Sequence, residues 1–170
     1  MFSTILRRSS VSDPLSTYLH DHLGGAKAAI DLLQAMQDDH NDQTLKDFAA
    51  NLLIEVQADR DTLQRLAETV GSGSNALKEF SGWFAEKVTR LKLGQGSGGD
   101  FGTFEALEFL ALGVRGKMGM WQALDVAAVE DPRLSGRDFK QLAARAEAQY
   151  QQVEQKRMQF AKTALRANHA

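Results

Sequence analysis

The chain has 170 residues, 43% hydrophobic and 25% charged, with 20 basic against 22 acidic side chains and no cysteine. That length buries a core large enough for one domain without a disulfide or structural metal, and the missing thiols exclude zinc–thiolate sites, iron–sulfur ligation, redox dithiols and a cysteine nucleophile. A net charge of -2 lacks the cationic excess of a phosphate-tracking surface, and no apolar run approaches the ~20 residues that cross a bilayer, so the expected protein is cytoplasmic and binds neither nucleic acid nor membrane.

Residues 1–12, rich in Arg and Ser and free of acids, are expected to form a disordered tail ahead of a single domain over 13–170. Asp13-Pro14 then supplies a cap and a proline at the first helical position, where the missing N–H costs nothing. Leu15, Leu19, His22, Ala26, Ala29 and Leu33 recur at spacings of three and four and predict a helix over about 14–37. After a short polar turn, Leu45, Phe48, Leu52, Val56, Leu63, Leu66 and Val70 carry a second helix over 42–70, which Gly71 stops. So short a turn makes the pair an antiparallel hairpin.

A Gly/Ser linker at 71–75 leads into a shorter predicted helix over 76–93, marked by Leu77, Phe80, Phe84, Val88 and Leu91. The glycine-rich run from Gly94 matches Gly-x-Gly-x-x-Gly, but it follows a helix instead of a strand and therefore reads as a hinge. Lys87, Arg90 and Lys92 form a compact basic cluster that reads as a solvated face. Phe104, Leu107, Ala111, Val114, Met118 and Trp121 predict a third long helix over 103–130, closed by Asp131-Pro132, and a fourth fills 136–167. No proline falls between Pro14 and Pro132, and no segment alternates as a strand does. The predicted class is all-α: a four-helix bundle with an additional short helix in the crossover between the second and third long helices, a connection long enough to run back along the bundle as in ferritin-like folds.

The segments YLHDHLGGAKAA at 18–29, IEVQADR at 54–60 and GVRGKMGMW at 113–121 resemble an uncharacterised family of small bacterial ferritin-like proteins, and more distantly ferritin and bacterioferritin. The distant resemblance implies a di-metal carboxylate bundle with a Glu-x-x-His pair on each of two helices. No such pair exists here: Thr17, Leu19, Gln37 and Arg166 stand three residues before His20, His22, His40 and His169. On that resemblance Gln57 replaces a ligand histidine and Ile54 a ligand glutamate, so the site is degenerate.

Counting outward from the two hairpin turns places His22 level with Asp59 and Lys117 level with Glu147, and the crossover topology brings all four to one height. They are the candidate buried polar network, with Glu55, Arg60, Arg115 and Gln149 one turn away as alternatives. A buried carboxylate needs a cation or donors, so the lysine would stand where relatives hold a metal. A metal alternative draws on His22, Glu55, Asp59 and Glu108, with His20 and Glu105 beside them, and would take iron or manganese. His20 and His22, however, point about 200° apart on a helix, and Glu105 and Glu108 suit a helix N-terminus electrostatically.

Interior glycines each cost about 1 kcal/mol relative to alanine, so Gly113, Gly116 and Gly119, with Gly24 and Gly25, call for compensation. Either a neighbouring helix or Trp121 packs onto bare backbone, or Gly113, Gly116, Gly119 and Trp121 border a groove for a flat ligand or a second subunit. No nucleophile elbow or triad is present. The expected function is a non-catalytic binding or assembly module, a homodimer without a cofactor; the alternatives are a metal-dependent oxidoreductase or iron-handling protein, and a small-molecule carrier.

Overall fold

Aspartate caps set the start of three of the four long helices in the computed structural model, which describes residues 13–71 and 99–166. Asp13 accepts from the Leu15 N–H and precedes Pro14, opening α1, Pro14–Asp39. Asp42 accepts from the Thr44 and Leu45 N–H groups and opens α2, Gln43–Val70. Asp138 does the same for Gln141 and opens α4, Phe139–Ala164. The remaining helix, α3, Asp100–Ala127, has no side-chain cap but carries Asp100 in its first turn, where a carboxylate complements the helix dipole.

The two later helices depart from the sequence expectation at their starts, each for a local reason. The third helix begins at Asp100, four residues before Phe104, the first of the periodic apolar residues that signal it. The fourth begins at Phe139 because Gly136 takes φ +75°, a left-handed conformation that no helix can incorporate. Before that glycine, Asp131 caps a 3-10 turn at Pro132–Leu134, the only short helix among the described residues. The helix predicted over 76–93, the tail over 1–12, Trp83 and the basic cluster lie outside the described residues.

Polar contacts at the two ends of the bundle determine the topology. At one end the Ser16 hydroxyl donates to the Gly71 carbonyl at 2.8 Å, Arg133 reaches Asp13 at 2.6 Å, and Arg137 reaches the Thr69 hydroxyl at 3.3 Å. The start of α1, the end of α2 and the link into α4 therefore meet there. At the opposite end the Asp42 N–H donates to His40 Nδ1, which leaves Nε2 of the neutral ring as the donor to Thr103 Oγ at 2.9 Å. The His40 ring also meets the edge of Phe160. Thus α1 and α2 are antiparallel, α3 and α4 are antiparallel, and α2 and α3 are parallel. Gly71 and Gly99 lie at opposite ends, so one long crossover joins the two hairpins.

The described residues contain no strand, and none of their helices is long and apolar enough to cross a membrane. The core falls into two clusters. One holds Leu33, Met36, Leu45, Leu52, Val56, Leu107, Leu110, Val114 and Val153. The other holds Leu19, Leu63, Leu66, Met118, Trp121, Leu124, Phe139 and Ala146, with the Trp121 and Phe139 rings stacked at 6.2 Å.

Candidate functional site: a buried polar layer beside a cleft

Each of three helices carries one polar residue where the two apolar clusters adjoin. Asp59 lies between Val56 and Leu63 on α2, Lys117 between Val114 and Met118 on α3, and Gln149 between Ala146 and Val153 on α4. The three- and four-residue spacing that sends the leucines inward sends these inward as well. Asp59 is 2% exposed and Gln149 fully buried, while the Lys117 side chain retains 15% exposure.

Their hydrogen bonds form a closed set around the Asp59 carboxylate. Lys117 Nζ donates to Asp59 Oδ2 at 2.5 Å and also to the Gln149 side-chain carbonyl. The Gln149 amide uses both hydrogens, one on Asp59 Oδ2 at 3.1 Å and one on Glu55 Oε2 at 3.0 Å. Arg145, one turn before Gln149 on α4, reaches in from the surface to Asp59 Oδ1. Two carboxylates and two cations thus neutralise one another, and both Asp59 oxygens are engaged by the protein's own donors. Burial pushes the Lys117 ammonium below its ordinary pKa, against the pull of Asp59 and Glu55.

On the α1 side of this layer the bundle is open. A cleft of about 240 Å³ lies between α1, α2 and α3. Its apolar walls include Ala29, Val56, Leu63, Leu110 and Trp121, and the polar residues Asp59, Lys117 and His22 also line it. Gly25, Gly113 and Gly116 also border it, and a Cβ built on any of them would meet nothing within 4 Å. Among the described residues no helix packs onto these glycines, and they face open space. Gly119 has the same freedom but lies outside the cleft, because each three-residue step along α3 turns the helix by about 300° and rotates it away.

The sequence candidates divide accordingly. Asp59 and Lys117 are bonded to each other, with Glu55 and Gln149 beside them. His22 borders the same cleft, its ring edge-on to Tyr18 at 4.7 Å, and burial lowers its pKa while Asp21 opposes the shift. Glu147 is not in the cluster: its side chain is 41% exposed, faces Arg115 at 3.5 Å and accepts from Gln151. Arg60 pairs with Asp61 on the surface, although it edges the cleft. Arg145 was not among the candidates; its position four residues before Gln149, on the same helical face, is the signal that names it.

Of the metal alternative, Glu55 and Asp59 share the Gln149 amide and His22 borders the cleft, whereas His20 and Glu108 are turned elsewhere. His20 Nδ1 is turned onto the Ser16 carbonyl of its own helix, and Glu108 lies on the surface 3.7 Å from Arg157. No group of three or more His, Asp or Glu side chains placed to hold an ion occurs among the described residues. Trp121 Nε1 is buried and makes no hydrogen bond among the described residues. No family model, curated protein or solved structure matches this chain.

Proposed function

We propose that this protein is a non-catalytic binding module, a bundle of ferritin-like type in which Lys117 stands where a metal would, and that the cleft between α1, α2 and α3 receives a small, mainly apolar molecule. The observation that carries the reading is the glycine border. Gly113 and Gly116 sit inside a helix, where each costs about 1 kcal/mol relative to alanine, and no close helix contact among the described residues compensates. Space is what they provide. By scaling from an engineered ~150 Å³ apolar cavity that holds benzene, a cleft of about 240 Å³ accommodates ~10 non-hydrogen atoms. The polar layer supports a binding role over a catalytic one, because Asp59 is held by cations and is not available as a free base.

The test uses cumene, a hydrocarbon of suitable size, and follows the Trp121 indole N–H resonance by NMR, assigned against a Trp83→Phe variant. Saturable movement of that resonance is expected in the wild-type protein. Gly116→Leu, which projects a side chain into open space and raises helix propensity, should keep the helical circular dichroism and abolish the response. An unresponsive wild-type resonance overturns the reading.

A further inference from the structure

We infer that the cleft is selective for an uncharged carbonyl compound, a ketone, ester or amide of about ten non-hydrogen atoms; this rests on the reading of the cleft as a binding site and adds the chemistry of its ligand. The argument begins with donor accounting at Lys117. An ammonium has three hydrogens to donate, and the two acceptors that Lys117 meets among the described residues are Asp59 and Gln149. Lys117 borders the cleft, and its side chain is 15% exposed. A hydrocarbon seated in the cleft shields the ammonium from water without replacing it, whereas a carbonyl oxygen beside Lys117 takes its third hydrogen.

Charge decides between a carbonyl and a carboxylate. Asp59 and Glu55 already balance Lys117 and Arg145, so the layer is neutral as it stands. A ligand carboxylate beside Lys117 would add a negative charge close to the buried Asp59; Asp21 borders the same cleft, and Arg60, the further cation at its edge, is already paired with Asp61. His22, whose pKa burial lowers, adds no positive charge near neutral pH to offset it. A neutral acceptor satisfies the donor and leaves the balance intact.

Three ligands of nearly identical shape separate the possibilities on wild-type protein: acetophenone with a neutral carbonyl, cumene with no acceptor, and benzoate with a charge. Titrations followed at the Trp121 indole resonance should show acetophenone binding about tenfold more tightly than cumene, and benzoate more weakly than acetophenone. The infrared carbonyl stretch of bound acetophenone should move to lower frequency than in hexane, a readout that requires no variant. In the double variant Asp59→Leu/Lys117→Met, which removes the pair together and leaves the partly exposed Arg145 to turn to water, the ratio of acetophenone to cumene affinity should fall to about one. Equal affinities for acetophenone and cumene overturn the carbonyl assignment while leaving the cleft a binding site. Benzoate binding more tightly than acetophenone overturns the requirement for a neutral ligand. A carbonyl preference that survives in the double variant removes Lys117 as its source, and no binding of any of the three overturns both this inference and the proposed function.

Discussion

Among the carboxylate–cation clusters that join the described helices, the one in the middle of the bundle and the one at its end differ in nearly everything except composition. In the middle, Asp59 is engaged by Lys117, Arg145 and the Gln149 amide at 2% exposure. At one end, Arg133 bonds Asp13 at 2.6 Å and Asp131 at 2.6 Å while all three side chains remain partly exposed. The end cluster forms in high dielectric, where pairing gains little beyond what water already supplies. The central cluster forms where an unpaired charge has no such refuge, so each partner is a condition of the others' burial. Similar chemistry is therefore an accessory in one region and a constraint in the other.

The comparison is tested most severely at Lys117. Lys117→Met keeps the aliphatic stem and deletes the charge, leaving Asp59 and Gln149 short of a donor; a loss of about 3–5 kcal/mol in urea unfolding is expected. Adding Asp59→Leu should recover most of that loss, because the strandedness of the carboxylate, more than the absence of the pair, is what destabilises. If the single variant unfolds at the wild-type urea concentration, the layer is solvated and the distinction between the two clusters collapses.

Arg133→Ala supplies the other arm. It removes both Asp13 and Asp131 contacts, yet each carboxylate turns to water and keeps its backbone caps on Leu15 and Arg133. The thermal midpoint should fall by about 2 °C or less. A loss comparable to that of Lys117→Met would mean that the end cluster, which joins α1 to the link before α4, is a cooperative clasp instead of a set of solvated pairs.

These arguments also show what a linear reading of the chain can and cannot reach. Asp59 and Lys117 were legible because each falls on an apolar helical stripe, and the expected crossover brought their two hairpins to one height. The same counting selected Glu147, whereas the stripe Phe139, Ala146, Val153 on α4 selects Gln149. Helical phase outranks height here: residues two apart point about 200° apart, so Glu147 and Gln149 cannot share a face. Arg145 was harder to read, since its side chain is 42% exposed and only the length of that side chain carries its charge inward to Asp59. The glycines announced an anomaly, but not its resolution. Whether a helix covers them depends on how far α1 stands from α3, a distance set by the packing of the two hairpins and encoded by no local spacing. The ends of the helices were legible to within a turn, and the misreading before α4 came from Gly136, whose left-handed φ interrupts the chain three residues before the helix begins.

The smallest predicted effects separate the two regions by pH. His22 borders the cleft beside the central layer, and burial lowers its pKa below 6.5 despite Asp21. Between its native pKa and 6.5 the unfolded chain binds a proton that the folded chain does not, so stability falls as the pH drops through that window and is unaffected by this group above it. Asp131 behaves alike in a lower window: Arg133 hydrogen bonds depress its pKa below 3.8, and its contribution is present above 3.8 and lost as the pH falls through the native value. Thermal midpoints measured from pH 7.5 to pH 3 should therefore show a slope just below 6.5 that His22→Gln flattens, and a steeper decline below 3.8 that Arg133→Ala reduces. Because other carboxylates, Asp42 and Glu154 among them, are also held low by hydrogen bonds, the difference between each variant and wild type carries the information. A wild-type profile flat between pH 6.5 and pH 5, or one that His22→Gln leaves unchanged, would mean that the His22 ring is solvated and that the open side of the central layer is as wet as the cluster at the end of the bundle.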